Sequence, residues 1–206
     1  MNVLNRILFT FSFISLSAAL LAQTSVGFRA GVTFPNWNTE NQGATVSFDT
    51  NLGLTLAGIL EIGVSENFAV QPELAFVQKG VKLPSIAGDN FKLRLNYLEV
   101  PVLAKYKFGN ETVNAFVAAG PSFGYAITGS QEEGGNKETF KGSDWDGFNR
   151  FELSGSVGGG AGLNVNAGQV FFDFRYLFGI SNIADDNDIT SHNKGINISV
   201  GFLSNL

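Results

Sequence analysis

The sequence predicts an all-β protein: an eight-stranded antiparallel up-and-down transmembrane β-barrel preceded by a cleavable signal peptide. Apolar side chains recur at every second position from Val26 to Phe202, and a period of two indicates strands. The positions between them carry Gly, Ser, Asn and Thr with isolated charges, instead of the dense Lys and Glu of a soluble sheet. No later apolar stretch is long enough for a spanning helix, and only helices and closed barrels satisfy every backbone group in lipid.

The N-terminal segment has the pattern of a secretory signal peptide. An apolar stretch follows Arg6 and ends in small residues before Gln23. We expect cleavage after Ala22, which makes residues 1–22 the signal peptide and residues 23–206 the outer-membrane barrel domain. A cleavage site a few residues away is an alternative. A transmembrane anchor helix is disfavoured because the stretch is shorter than about 18 residues.

Eight segments carry the alternation, each near or above the ~9–11 residues that cross the hydrocarbon at a tilt. They are residues 25–34, 52–64, 68–80, 91–108, 113–128, 148–165, 170–179 and 194–203. The face predicted to point outward carries no charge, as expected of a lipid-facing surface, where Lys or Arg at the midplane costs about 2–4 kcal/mol. Representative residues of this face are Leu54, Leu60, Leu74, Val100, Val117, Val157, Phe174 and Ile198.

The fourth segment changes phase. Its apolar residues are odd-numbered from Phe91 to Tyr97 and even-numbered from Leu98 onward. Because a slip of one residue reverses every side chain, we predict a β-bulge near Tyr97 and Leu98 that keeps both halves apolar-side out. Pro72 and Pro101 also fall inside strands, where each removes a ladder donor, so a bulge or a local gap in pairing is expected at each.

The connections between the segments alternate in length. Residues 65–67, 109–112 and 166–169 form short connections, and the connections between them are longer. Outer-membrane barrels have short periplasmic turns and long external loops. We therefore expect the protein to reside in the cell outer membrane, with outer-membrane lipid around it and both chain termini in the periplasm.

The interior of an eight-stranded barrel has room for side chains and not for a water-filled channel. Six isolated charges fall on the inward face at a similar depth: Arg29, Glu61, Glu73, Lys105, Asp173 and Arg175. Buried charges persist when they are paired and hydrogen-bonded. We therefore hypothesise one network across the lumen, in which Glu73 and Asp173 each reach one of the three basic groups. The alternative is that each charge is solvated separately by water in the lumen.

The composition excludes several kinds of chemistry. The chain has no Cys, which excludes disulfides and thiol catalysis. Its one His, His192, lies beside Ser191 without the constellation of a triad, so we expect neither an enzyme nor a cofactor. The acidic run at 185–188 offers oxygen ligands for weak Ca²⁺ binding, but it lacks the spacing of a calcium loop. Arg6 is one of 13 Lys and Arg residues, which leaves 12 against 18 Asp and Glu and argues against nucleic acid.

The longer loops carry the two tryptophans of the chain. Trp37 belongs to the first predicted external loop and Trp145 to the third. Tryptophan is a common anchor residue in binding interfaces, so both are candidate contacts for a protein partner or a surface glycan. The alternative is that these loops are flexible and solvated.

Four stretches resemble the PorT-like outer-membrane β-barrel proteins. They are QPELAFVQKG (71–80), NYLEVP (96–101), AAGPSFGY (118–125) and FDFRYLFGISNI (172–183). Together they span most of the chain after the signal peptide. The resemblance implies an eight-stranded barrel in a Gram-negative outer membrane, a namesake associated with a protein secretion system, and no catalytic residues.

The sequence thus predicts a barrel with a plugged polar lumen and a structural or interaction role for its long external loops. The alternatives are a narrow porin or an accessory component of protein secretion or transport. An outer-membrane hydrolase or acyltransferase is disfavoured by the absence of a histidine-based site. A soluble lipocalin-like barrel is the alternative fold, but its exterior would be polar.

Overall fold

The computed structural model describes residues 24–41, 44–47, 49–83, 91–142, 145, 148–184 and 189–206. The predicted signal peptide lies outside the described residues. The described part of the chain forms eleven strands: β1 Thr24–Asn41, β2 Ala44–Ser47, β3 Asp49–Thr50, β4 Gly53–Gly63, β5 Phe68–Leu83, β6 Phe91–Gly109, β7 Val113–Glu133, β8 Asn136–Phe140, β9 Phe151–Val165, β10 Gly168–Gly179 and β11 Ile189–Asn205. A helix of the length and apolarity needed to cross a membrane is not found among the described residues.

Eight of these strands close into a ring. The antiparallel order is β1, β4, β5, β6, β7, β9, β10 and β11, and β11 pairs again with β1. This closing seam runs from Ser25 opposite Asn205 to Asn41 opposite Ile189. The short strands β2, β3 and β8 pair with β1, β5 and β7 outside the ring. The prediction of an all-β, eight-stranded, up-and-down barrel is therefore confirmed.

The two ends of the barrel differ. Connections 64–67, 110–112 and 166–167 are short and lie at one end. The first and last described residues meet at the same end, where the amide of Leu206 donates to the backbone oxygen of Thr24 at 3.0 Å. We call this the short-turn end and the opposite one the long-loop end. Strands β1, β7 and β11 extend further toward the long-loop end than the sequence predicted.

The outer wall is apolar. Leu54, Leu74 and Val117 are 56%, 57% and 51% exposed, whereas Thr55 and Glu73, on the opposite face, are 1% and 3% exposed. Seven of the eight representative outward residues are exposed and Ile198 is half-buried. A soluble barrel would have the reverse arrangement, so the prediction that the apolar face points outward is confirmed.

The predicted β-bulge was placed correctly but interpreted wrongly. The pairing of β6 with β7 shifts register between Asn96 and Tyr97, where Ile127 of β7 has no partner in β6. The extra residue is therefore in β7, and β6 keeps one phase throughout. Leu93, Leu95 and Tyr97 are 4%, 1% and 0% exposed and point into the barrel. They are apolar because they line a core at the long-loop end, not because they face lipid.

The two prolines interrupt pairing as predicted. The register of β4 with β5 skips Pro72, and that of β5 with β6 skips Pro101. Each gap is local, because pairing resumes in the same register on both sides. A proline without an amide donor is thus accommodated without a break in the ring.

Leu74 tests the lipid-facing assignment. It lies on the outer wall between the aromatic residues Phe68 and Phe76 of β5. We expect Leu74→Lys to lower the free energy of unfolding by about 2–4 kcal/mol, because an ammonium group would enter the hydrocarbon. The measurement is urea unfolding in phospholipid vesicles. The control is Leu206→Lys, at an exposed terminal residue, and equal losses for the two variants would contradict the assignment.

Candidate functional site in the barrel interior

A group of four charged residues occupies the middle of the lumen. Glu73 of β5 accepts hydrogen bonds from Arg29 of β1, with Nε and Nη2 at 3.0 and 2.9 Å. Glu73 also accepts from Nη2 of Arg175 at 2.8 Å, and Arg175 contacts Asp173 at 2.6 Å. All four side chains are buried. We call these residues the central cluster.

Strand geometry and glycine positions bring the central cluster together. Asp173 and Arg175 are two residues apart on β10, so they share its inward face. Their partners on β9 are Gly160 and Gly158, which leave space where other residues would place side chains. A Cβ atom added to Gly158 would collide with the backbone of β10. The glycines of β9 therefore let β10 approach closely, and the Arg175 side chain extends across the lumen to Glu73 of β5.

Polar neighbours satisfy the remaining donors of Arg29. Its Nη1 donates to Oδ1 of Asn197 at 2.9 Å and to Oγ of Ser199 at 3.0 Å. The amide group of Asn197 in turn donates to Thr33 and Thr55 at 3.0 and 2.9 Å. A buried guanidinium with all of its charge and donors matched is the arrangement in which burial of an arginine is tolerated.

A second group lies closer to the short-turn end, and we call it the lower cluster. Nζ of Lys105 donates to Glu61 at 2.6 Å, and the half-exposed Lys107 reaches the same carboxylate at 2.8 Å. Lys105 also donates to Gln71 at 3.1 Å, and the Gln71 amide donates to Glu73 at 2.6 Å. Gln71 thus links the lower cluster to the central cluster.

The structure places the six residues singled out from the sequence in the lumen. The central cluster contains Arg29, Glu73, Asp173 and Arg175, and the lower cluster contains Glu61 and Lys105. The carboxylate that pairs with Lys105 is Glu61, whereas we expected Lys105 to be one of three possible basic partners for Glu73 and Asp173.

A third group of buried charges was not predicted from the sequence, and we call it the upper cluster. Nζ of Lys79 lies 2.8 Å from Glu99 and 3.0 Å from Glu152. Asn193 donates to Glu152 at 2.8 Å and Ser122 donates to Glu99 at 3.1 Å. The alternation could have identified two of these residues. Lys79 is an even number of residues from Glu73 on β5, and Glu99 is an even number of residues from Lys105 on β6, so each lies on the inward face of its strand.

An apolar cap closes the lumen at the long-loop end. Trp37 and Trp145 are 6% and 7% exposed, and their rings contact Phe148 and Phe140 with centroids 6.0 and 5.1 Å apart. The buried residues of the cap are Trp37, Val81, Leu93, Leu95, Tyr97, Ala126, Trp145 and Ile183. Both tryptophans, the candidate contacts for a partner or surface glycan, are therefore buried in the cap, where they pack against the apolar inner wall of the barrel.

The remaining candidate residues, His192 and the acidic run at 185–188, belong to the last part of the chain. Nδ1 of His192 lies 3.0 Å from the backbone oxygen of Ser181, which makes it part of the hydrogen bonding of this connection. The acidic run at 185–188 lies outside the described residues. Within the described part of the chain, no group of three or more His, Asp or Glu side chains is placed to hold a metal ion.

The cavities along the lumen differ greatly in size. At the short-turn end a polar vestibule of about 850 Å³ leads up to Glu61 and Lys107. The cavity between the central and upper clusters measures about 20 Å³, and one beside Lys79 and Glu152 measures about 10 Å³. A water molecule needs roughly 10–15 Å³ of such space, so each of the two inner cavities has room for about one.

A closed eight-stranded antiparallel ring with an apolar exterior and a charged interior defines an outer-membrane β-barrel protein. The family model described as "Outer membrane protein beta-barrel domain" matches residues 21–185. The chain belongs to this family, and its place is the outer membrane. No curated protein matches the sequence significantly.

The chain is similar in fold to several solved barrels. Neisserial surface protein A aligns over 89% of this chain and 97% of its own, with 14% identity and a TM-score of 0.47. OprG from Pseudomonas aeruginosa aligns over 90% and 98%, with 11% identity and a TM-score of 0.48. Ail from Yersinia pestis aligns over 87% and 99%, with 14% identity and a TM-score of 0.41.

Glu73 tests the central cluster. We expect Glu73→Gln to lower the free energy of unfolding by about 3–5 kcal/mol, because removal of one partner leaves buried positive charge without compensation. The measurement is urea unfolding in vesicles, followed by the mobility of the folded band on gels. The control is Glu133→Gln at the exposed end of β7, which should change stability by less than about 0.5 kcal/mol. A loss below 1 kcal/mol for Glu73→Gln would contradict a buried ionic cluster.

Proposed function

We propose that this barrel is closed to solutes and serves as a structural or interaction protein through its long-loop end, without enzymatic activity. The observation that carries the proposal is the stacking of the lower, central and upper clusters beneath the apolar cap. These layers join strands from opposite sides of the ring, as in the 2.8 Å contact between Glu73 of β5 and Arg175 of β10.

The energetics of the lumen favour a plug over a pore. A solute passing the central cluster would have to separate Glu73 from Arg29 or Arg175. Both side chains of each pair are buried. Separating such a pair without a replacement partner would leave each side chain as an uncompensated buried charge, which is strongly unfavourable. The narrow porin, which is the alternative, needs a continuous path of water, whereas the two inner cavities hold about one molecule each.

We further propose that the long-loop end faces the exterior and that both termini are periplasmic. The three short connections and both described chain ends share one end of the barrel, which supports the usual arrangement of short periplasmic turns. The extensions of β1, β7 and β11 then project from the cell surface. A role at that surface is the interaction part of the proposal.

The PorT-like resemblance is part of the same proposal. The stretches that carry it supply charged residues of the lumen: 71–80 contains Glu73 and Lys79, and 172–183 contains Asp173 and Arg175. The likeness therefore includes residues that fill the barrel. A role in protein secretion rests on the resemblance alone and ranks second.

Conductance tests the closed lumen. We expect the purified, folded protein to give no stable conductance steps in a planar lipid bilayer, because ion-paired side chains fill the lumen. Folding is checked first by the heat-dependent shift of the band on gels. Long-lived steps of uniform size would refute the proposal and favour the narrow porin.

Labelling tests the orientation. The chain contains no Cys, so a single introduced thiol reports one position without background. We expect a membrane-impermeant maleimide to label Lys141→Cys, at the long-loop end, on intact cells. The matched variant Glu66→Cys, in the exposed short turn 64–67, should react only after the outer membrane is opened. The reverse pattern would invert the orientation.

A further inference from the structure

A row of basic side chains crosses the outer wall of the barrel at the long-loop end. In the pairing of β5, β6, β7 and β8, Lys82 is opposite Lys92, Lys92 is opposite Glu132, and Glu132 is opposite Lys137. Arg94 lies two residues from Lys92 and therefore on the same face of β6. We call Lys82, Lys92, Arg94 and Lys137 the basic ladder.

The basic ladder lines a shallow concavity of about 180 Å³, to which Asn51, Ser130 and Glu132 also contribute. The ladder side chains come from β5, β6 and β8, and β7 between the last two contributes Glu132, so the sheet itself fixes their spacing. A concave surface with several converging donors is the shape of a binding site for a small anionic group.

The positive charge of this site is only partly compensated. Lys82 and Lys92 are direct cross-strand neighbours, and like charges in this arrangement destabilise a sheet. Lys92 donates to Glu132 at 2.9 Å. This hydrogen bond holds the pKa of the Glu132 carboxyl below its usual value, so Glu132 stays ionised at neutral pH. Asp49 of β3 is the cross-strand neighbour of Lys82, so the four cations have two acidic cross-strand neighbours and keep an excess of two positive charges.

Arg94 adds unsatisfied hydrogen-bonding capacity. Its Nη2 lies 3.5 Å from the backbone oxygen of Leu52, a long contact. Its Nε is buried and has no hydrogen-bond partner among the described residues. A buried donor without a partner is costly, and an anion in the concavity would offset that cost.

The charge distribution of the whole chain makes the ladder unusual. The sequence has a net charge of −5, and the basic residues Arg29, Lys79, Lys105 and Arg175 are buried in the lumen. Four of the remaining cations are nevertheless gathered on one patch of the outer wall. Such a concentration creates a local positive field on an acidic protein.

The height of the ladder matches the lipid headgroups. Tyr125 of β7 is opposite Leu98 of β6 and belongs to an exposed apolar row. Arg94 and Lys92 lie four and six residues beyond Leu98, which corresponds to about 10 and 15 Å along the membrane normal for a strand tilted by about 40°. Long basic side chains reach from such positions toward headgroups.

We propose that the basic ladder binds phosphate groups of an anionic glycolipid in the leaflet that surrounds the long-loop end. Phosphate oxygens would accept hydrogen bonds from Lys82, Lys92 and Arg94 and so compensate the facing lysines. The assignment of this leaflet as the outer one rests on the orientation proposed above. The ligand chemistry itself does not depend on that orientation.

Lipid binding tests the proposal. The full barrel, purified in a zwitterionic detergent, is titrated with bisphosphorylated lipid A and with the same lipid after removal of its phosphates, and the complexes are counted by native mass spectrometry. We expect the phosphorylated lipid to bind more tightly. The double variant Lys82→Gln with Lys92→Gln should weaken that binding about 30-fold, since each lysine near an anionic surface contributes about a factor of five.

The matched control carries the same change of charge at the same end of the barrel. Lys141→Gln with Lys194→Gln removes two cations outside the ladder and should leave the affinity within a factor of about two, because the specific contacts remain. An equal loss in both double variants would overturn the proposal, as would equal binding of the dephosphorylated lipid. Competition by inorganic phosphate at the concentrations at which the lipid binds would also overturn it in favour of a site for free phosphate.

Stability without lipid gives an independent measurement. In zwitterionic detergent alone, the Lys82→Gln and Lys92→Gln double variant should unfold within about 5 °C of the parent, because loss of the repulsion between the facing lysines offsets loss of the exposed contact of Lys92 with Glu132. A fall of more than about 10 °C would show that the two lysines hold the sheet together instead of being available to a ligand, and would contradict the proposal. Orientation is decided by the maleimide labelling, so failure of the orientation and failure of the phosphate site give different results.

Discussion

The closing seam between β1 and β11 is the constraint on which the rest of the structure depends. In lipid no water is available to backbone groups, so a sheet must pair its first strand with its last. Seventeen residue pairs, from Ser25 with Asn205 to Asn41 with Ile189, make this seam. A ring of eight strands is narrow, and the inward half of every strand must therefore fit side chains against one another.

The charged clusters are the solution to that packing problem. The inward positions of β9 from Ser154 to Gly162 are small, with Gly158 and Gly160 opposite Arg175 and Asp173, so long side chains of other strands occupy the space they leave. Each such side chain has to bring its own compensation, because an unpaired charge in this interior would be costly. Arg29 achieves this through Glu73 and through the Asn197 amide.

Much of the fold could be predicted from the alternation of apolar and polar residues along the strands, and the errors of that prediction have physical reasons. The alternation correctly assigned Leu74 to the outward face of β5 and Glu73 to the inward face, because the outward face of each strand is apolar and the inward face is polar or charged. Leu93 and Tyr97 were assigned outward because an apolar side chain suits lipid and an apolar cap equally well. Trp145 was assigned to an exposed loop because sequence does not reveal where a long connection returns. The partner of Lys105 depended on the relative depth of β4 and β6, which the stagger of the ring determines.

The contact between Glu73 and Arg175 joins residues 102 positions apart in the chain. Glu73 is in place once β5 is formed, but Arg175 and Asp173 belong to β10, late in the chain. Until β10 is added, Arg29 is the arginine partner of Glu73. The complete central cluster therefore needs β10, the strand next to the closing strand β11, and because its contacts are so remote in sequence we expect insertion of the barrel to be cooperative and slow.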